Sequence, residues 1–517
     1  MNYKSSDFGS HFGLISLLFL LLFSACQKEK VKDVLDLESL SIAEIHAKYS
    51  SGDLTAVELV EAYLARIDSV NPQINALTVI NPKALEIAKA LDEEFKSTGK
   101  FRPLHGIPMI VKDNINTLGL PTTAGSLALT DFYPEEDAFV IKKLEEAGAI
   151  VLAKSNMAEW AFSPMHSESS TAGITRNPYN LDFVPAGSSG GTGAGVAANL
   201  GTIGLGTDTG NSIRGPSSHN ALVGFRSTLG LISREGIVPL YLRNDVVGPM
   251  CKTVEDATRV LQVMVGIDPN DPLTSYSEGK TETDYLQYLD KNGLKGARIG
   301  VFRTLSERDP DSGISVLFNQ ALKDLEGLGA VVIDSVAVPN FEELAKDQWC
   351  PTFKTDLEDF LQTYVKRDTM KTYEDMLRIG SKSEYTRTRL ETLGKNTLRR
   401  GNPEIPCGNA YEDVRRIALR EAIERTMDSL QLDALIYPSW NNRPARIDRF
   451  EEEYKGDNSQ IISPHSGQPA FTVPMGFTEG NLPAGLQFLG RMYAEPTLIK
   501  LTYSYELGTK HRKAPKL

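Results

Sequence analysis

Apolar side chains return every three to four residues at Val57, Val60, Leu64 and Ile67, the repeat of one helix face, and Thr55-Ala56-Val57-Glu58 just ahead fits a capping box. This pattern predicts an amphipathic helix over 55–69, with a second over 83–96. After Gly106 the run 107–111 is continuously apolar, which predicts a short strand delivering Lys112 at its end. A helix over 140–147, Gly148 as its stop and a strand over 149–153 follow. Further along, the pattern predicts a helix at 253–265, then strand 297–302, helix 314–328 and strand 331–338. A helix at 416–430, a strand at 434–437, two strands at 468–475 and 485–489 able to pair, and a closing helix at 497–507 complete the series. Helix alternating with strand argues for an α/β layered core. The stretch 340–415 is more polar, rich in Tyr, Arg and Asp, and is expected to be an irregular insertion.

Two segments depart from this rhythm. From 187 to 236, Gly, Ser and Thr dominate, but Val196, Leu200, Ile203, Leu205, Leu222, Val223 and Phe225 are interleaved. A flexible linker lacks such apolar residues, so close-packed backbone is expected. At the other end, Lys4 precedes an apolar run from Leu14 to Phe23, too short to span a bilayer. Phe23-Ser24-Ala25-Cys26 follows and resembles a bacterial lipoprotein cleavage box. Residues 1–25 are therefore expected to be a signal peptide, Cys26 the lipidated first residue, 26–39 a tether and 40–510 the folded domain, placed in the cell envelope outside the cytoplasm. A non-lipidated signal peptide is the alternative.

Composition narrows the classes. The formal net charge is −12 with no basic stripe, which argues against nucleic-acid binding. Cys26, Cys251, Cys350 and Cys407 include no CxxC pair and no Cys/His cluster with zinc spacing, so no metal site is expected. One disulfide among the last three is open.

Chemistry concentrates in Gly187-Ser188-Ser189-Gly190-Gly191 and in Gly206-Thr207-Asp208-Thr209-Gly210-Asn211-Ser212-Ile213-Arg214, with Lys112 upstream. A serine hydroxyl needs a base, and a buried lysine with a lowered pKa can supply one. A second hydroxyl can pass the proton between them. Glycines beside a nucleophile let backbone N–H groups converge on an oxyanion. These islands, with Lys112-Asp113, Lys154-Ser155-Asn156-Met157-Ala158-Glu159, Arg176-Asn177-Pro178-Tyr179, Gly248-Pro249-Met250 and Gly485-Leu486-Gln487, make the chain resemble the amidase signature family from about residue 40 to residue 507. The resemblance implies an α/β/α sandwich around one mixed, twisted sheet, needing neither metal nor cofactor, that hydrolyses amides. It implies Ser212 as nucleophile, Ser188 (after a cis peptide) as bridging serine and Lys112 as base. Thr209, Gly210, Asn211 and Ser212 would supply oxyanion N–H groups, Asp208 and Arg214 would brace the loop, and 340–415 would face the substrate. The family reads Gly-Gly-Ser where this chain has Gly210-Asn211-Ser212. Asn tolerates left-handed backbone best among non-glycine residues, so a positive φ is expected at Asn211.

Rival readings carry less. Ser189 centres a G-x-S-x-G that, with His465, would suit an α/β-hydrolase esterase, but 181–186 contains Asp182 and Pro185 where a strand should lead in. His105, His166, His219 and His465 are expected in hydrogen-bonding or surface roles. A non-catalytic envelope binding protein on the same scaffold would not need all three catalytic positions filled. A glutamine-amide hydrolysing component of an RNA-linked amidotransferase shares the fold but is cytosolic. The amide substrate and the oligomeric state are not encoded legibly.

Overall fold

The computed structural model describes residues 1–2, 35–396, 398–399 and 407–517. The expected signal peptide, Cys26 and most of the tether lie outside the described residues. Residues 38–517 form one unit.

Its centre is a mixed sheet of eleven strands: β1 (Leu77–Ile80), β2 (Ile107–Lys112), β3 (Ala149–Ser155), β4 (Ile203–Asp208), β5 (Val223–Arg226), β6 (Val246–Cys251), β7 (Arg298–Val301), β8 (Val331–Ile333), β9 (Ala434–Pro438), β10 (Ala470–Thr478) and β11 (Leu482–Leu489). In space they run β1-β3-β2-β4-β6-β5-β10-β11-β9-β7-β8, with helices on both sides. β2 pairs parallel with both β3 and β4, β6 pairs antiparallel with β4 and β5, and β7 pairs parallel with β8 and β9. The late strands do pair: β10 and β11 form an antiparallel hairpin, and this hairpin joins β5 on one side to β9 on the other. The strands β2, β3, β4 and β6 are buried along their whole length; β2 and β3 accordingly read as apolar runs without alternation, whereas β4 and β6, interrupted by glycine, were not anticipated as strands.

The helix expected at 55–69 extends over Ala56–Ile74, and its capping box at Thr55 and Glu58 is present. A helix at Ile42–Ser51, closed by its own capping box at Ser41 and Glu44, was not anticipated. β8 is shorter than expected because Ser335 turns to φ 67° and the backbone leaves the sheet. The described residues of the stretch 340–415 carry short helices at Phe341–Ala345, Phe353–Phe360, Tyr373–Ile379 and Glu384–Gly394, joined by irregular connections. Phe353, Leu357, Tyr373 and Leu390 of this stretch pack with Phe132, Trp160 and Phe162 in a hydrophobic cluster of their own. The outer faces of these short helices are polar, so the apolar repeat is too sparse to read as helical. Cys350 and Cys407 bridge the stretch with a Cα–Cα distance of 5.9 Å, while Cys251 is free and buried.

The Gly-rich segment is buried from 187 to 233, as its interleaved apolar residues require. It holds the helix Gly190–Ala197, β4 and the short helix Arg214–His219. A Cβ at Gly187 would lie 2.3 Å from the His166 carbonyl oxygen, and one at Gly191 would lie 2.2 Å from that of Asn156. Only glycine permits these approaches.

Candidate active site

β2 carries Lys112 to the C-terminal edge of the sheet in wholly buried surroundings. Lys112 Nζ lies 2.7 Å from Ser188 Oγ and 2.8 Å from Thr207 Oγ1, and 3.4 Å from the Thr207 carbonyl oxygen. Thr207 Oγ1 also accepts from Asn114 Nδ2 at 3.1 Å, which pins it beside the amine. Burial lowers the Lys112 pKa to about 7, against the upward pull of Asp208 and Asp245. An amine at that value is neutral in a large fraction of molecules at physiological pH, as a base must be. The Gly187–Ser188 peptide bond is cis.

Ser212 follows the turn from β4 into the helix Arg214–His219. Its Oγ donates to Asn211 Oδ1 at 3.3 Å, and no hydrogen bond to Ser188 exists among the described residues. Gly210, Asn211 and Ser212 spend no backbone N–H on another group of the described chain. The expectation of a left-handed Asn211 is overturned: neither Gly210 nor Asn211 has a positive φ, so the loop turns without one. Asn211 instead works through its side chain, whose Nδ2 donates to the Pro164 carbonyl at 3.3 Å.

Below the loop sits a buried ion cluster. Asp208 accepts from Arg214 Nε at 3.0 Å and Arg226 Nη1 at 2.8 Å, and from the Ile213 N–H at 3.2 Å. Burial pushes the Asp208 carboxyl up, but the two guanidinium groups overcome this and hold it at about 2. Arg214 Nη2 also donates to the Gly210 carbonyl at 2.7 Å, and its Nη1 to Gln487 Oε1 of β11 at 3.2 Å. The bracing role expected of Asp208 and Arg214 is what their contacts describe. Arg226 and Thr207 escaped the sequence reading, although Thr207 adjoins Asp208 in the loop motif. Thr209 Oγ1 donates to Asp245 at 2.5 Å, a contact that nothing in the sequence signals.

Thr209, Gly210, Asn211 and Ser212 together line a cavity of about 410 Å³. Phe162, Leu240 and Tyr241 form one wall. Another comes from the 340–415 stretch, where Tyr385, Arg389, Thr392 and Leu393 share one helix face at the spacing of successive turns. Among the described residues no group of His, Cys, Asp and Glu could hold a metal ion.

The esterase constellation does not assemble. The Ser189 hydroxyl donates to the Thr207 carbonyl at 3.2 Å, no strand leads into it, and no hydrogen bond joins it to His465, whose ring packs edge-on against Trp349. His105, His166, His219 and His465 are all buried, so none has the surface role considered for them.

A sequence profile of the family described as Amidase matches residues 58–499. The chain is 32% identical to a probable amidase of Arabidopsis thaliana, over 97% of this chain and 96% of the relative. It is 34% identical to a component of the glutamyl-tRNA(Gln) amidotransferase of Symbiobacterium thermophilum, over 92% of this chain and 98% of that one. Among solved structures, the native peptide amidase of Stenotrophomonas maltophilia superimposes with a TM-score of 0.82 at 34% identity, covering 92% of this chain and 98% of its own. The motifs, the sheet and these relatives agree, and the chain belongs to the amidase signature family of amide-hydrolysing enzymes.

Proposed function

We propose that this enzyme cleaves a carboxylic amide to the acid and ammonia or amine through a serine acyl-enzyme. The observation that carries the reading is the 2.7 Å contact between a buried, pKa-lowered Lys112 and Ser188, beside a cavity lined by Ser212. In this scheme the Ser212 hydroxyl turns from Asn211 toward Ser188 by rotation about χ1. Ser212 Oγ then bonds to the substrate carbonyl carbon, its proton passes to Ser188 Oγ, and the Ser188 proton passes to the Lys112 amine. The oxyanion so formed accepts from the unspent N–H groups of the 210–212 loop. As the C–N bond breaks, Lys112 returns the proton through Ser188 to the leaving nitrogen. Water repeats the sequence to release the acid. Peptide amides are the first substrates to try, given the peptide amidase likeness.

A serine-directed phosphonate should add its mass to the peptide containing Ser212, with release of ammonia from amides lost in parallel. Labelling at Ser189 would instead support the esterase.

The enzyme is further proposed to act in the bacterial cell envelope, anchored by lipid at Cys26. The cleavage box motivates this, and the Cys350–Cys407 bridge supports an oxidising compartment, since the cytosol keeps such pairs reduced. The same bridge favours a free-standing hydrolase over a component of a cytosolic amidotransferase. Cys26→Ser should leave the membrane fraction; wild-type protein found only in the soluble fraction refutes the anchor.

A further inference from the structure

Among the described residues, Arg389 is a cation without an ion-pair partner. It stands on the cavity face of the helix Glu384–Gly394, half-buried, and its Nε is out of contact with solvent and has no hydrogen-bond partner. No ion pair or hydrogen bond engages its guanidinium among the described residues. Neighbouring arginines are spent: Arg387 Nη1 donates to the Ser381 and Lys382 carbonyls, and Arg378 pairs with Asp375. The described cavity wall contains no Asp, no Glu and no second cation. Burial pushes the Tyr241 and Tyr385 hydroxyls up, and the Arg389 charge opposes that push, so the guanidinium stands close enough to both rings to be felt. A buried guanidinium edge left without an acceptor is costly, and proteins keep such a group where a ligand completes it.

We propose that Arg389 recognises a carboxylate on the acyl portion of the substrate, so that the enzyme prefers amides whose acyl group is anionic. This rests on the reading that the amide is cleaved at Ser212, in the same cavity. A guanidinium fork matches a carboxylate bidentately, and a single positive charge balances a single negative one. A phosphate dianion would call for more cations than the wall supplies. Tyr241 and Tyr385 offer aromatic surface to the carbon chain between the carboxylate and the reacting carbonyl, and Trp349, 43% exposed, lies at the mouth beside Gly210.

The test compares N-acetyl-glutamic acid α-amide with N-acetyl-norleucine amide, similar in length but uncharged, using the full-length protein. The ratio of their kcat/KM values should fall roughly 10- to 100-fold in Arg389→Gln. Arg389→Lys should restore part of it. Melting of each variant controls for folding. A ratio that stays within about threefold of wild type overturns the proposal. Calorimetric binding of the glutamic acid α-amide to Ser212→Ala, with and without Arg389→Gln, separates the two readings. Arg389-dependent binding without turnover of any amide by wild type would refute the hydrolytic reading and leave the carboxylate subsite standing. Turnover or binding that is blind to Arg389 refutes the subsite alone.

Discussion

At the scale of single residues, the site depends on keeping one amine buried and unprotonated. The Lys112 pKa falls from 10.5 to about 7 on folding. With the neutral amine as the proposed base, kcat/KM should rise with pH through about 7 and level off above it, the reverse of a histidine acting as acid. Lys112→Met should remove this limb along with most activity, yet melt no lower than wild type, because it withdraws a charge from the core. A pH–rate profile and a thermal melt check both, and an unchanged alkaline-rising limb in the variant would refute Lys112 as the base. Asn211 leads to a different expectation from the one its sequence context suggests. Its backbone has no positive φ, so a β-branched side chain meets no conformational barrier. Asn211→Val should lose only the contacts to Ser212 and Pro164, and turnover should stay within roughly tenfold of wild type, about 1.4 kcal/mol. A loss beyond about 100-fold would mean that the loop has moved and an oxyanion donor has gone with it.

At the scale of elements, strands and long helices were legible where burial coincides with an unbroken apolar run or stripe; β4 and β6, equally buried but interrupted by glycine, were not. β2 is apolar up to Lys112 and β3 up to Lys154, and the helix Ala56–Ile74 carries both its cap and its stripe. The Lys112, Ser188 and Ser212 motifs were legible because each is local in sequence. The site's supporting groups were not: Thr207, Arg226 and Asp245 act through contacts that only the folded sheet creates, and Arg389 lies in a helix whose apolar repeat is too sparse to read. The 340–415 stretch looked irregular because its helices are short and present one narrow apolar face to Trp160 and Phe162. The Cys350–Cys407 bridge encloses most of that stretch, at a sequence separation of 57. Closing a loop of that length stabilises the folded state by about 4 kcal/mol in the chain-entropy account. The paired Cys350→Ser and Cys407→Ser variant should therefore unfold at distinctly lower denaturant, and KM should rise because Tyr385 and Arg389 ride on the enclosed segment. Identical unfolding midpoints with and without reductant would remove the bridge from the account.

At the scale of the whole molecule, the sheet is two half-sheets with a late junction. Residues 77–251 build β1 to β6, residues 298–438 build β7 to β9, and the β10–β11 hairpin holds them together. The loop that carries Ser212 is tied to that hairpin through Arg214 and Gln487. A chain cut before residue 470 should accordingly show no amide hydrolysis and should be digested rapidly by protease; a truncated chain that resists digestion as the full one does would show that the halves stand without the junction. Synthesis turns this geometry into a delay. The ribosome makes the first half-sheet 238 residues before it finishes Leu489, an interval of about 12 to 48 seconds at ordinary elongation rates. Throughout it, the free edge of β5 offers unpaired backbone groups to any passing strand, the hazard that leads to aggregation. The nascent chain is thus open to strand addition until the β10–β11 hairpin is made, and only then does the 209–212 loop gain its brace from Gln487 through Arg214.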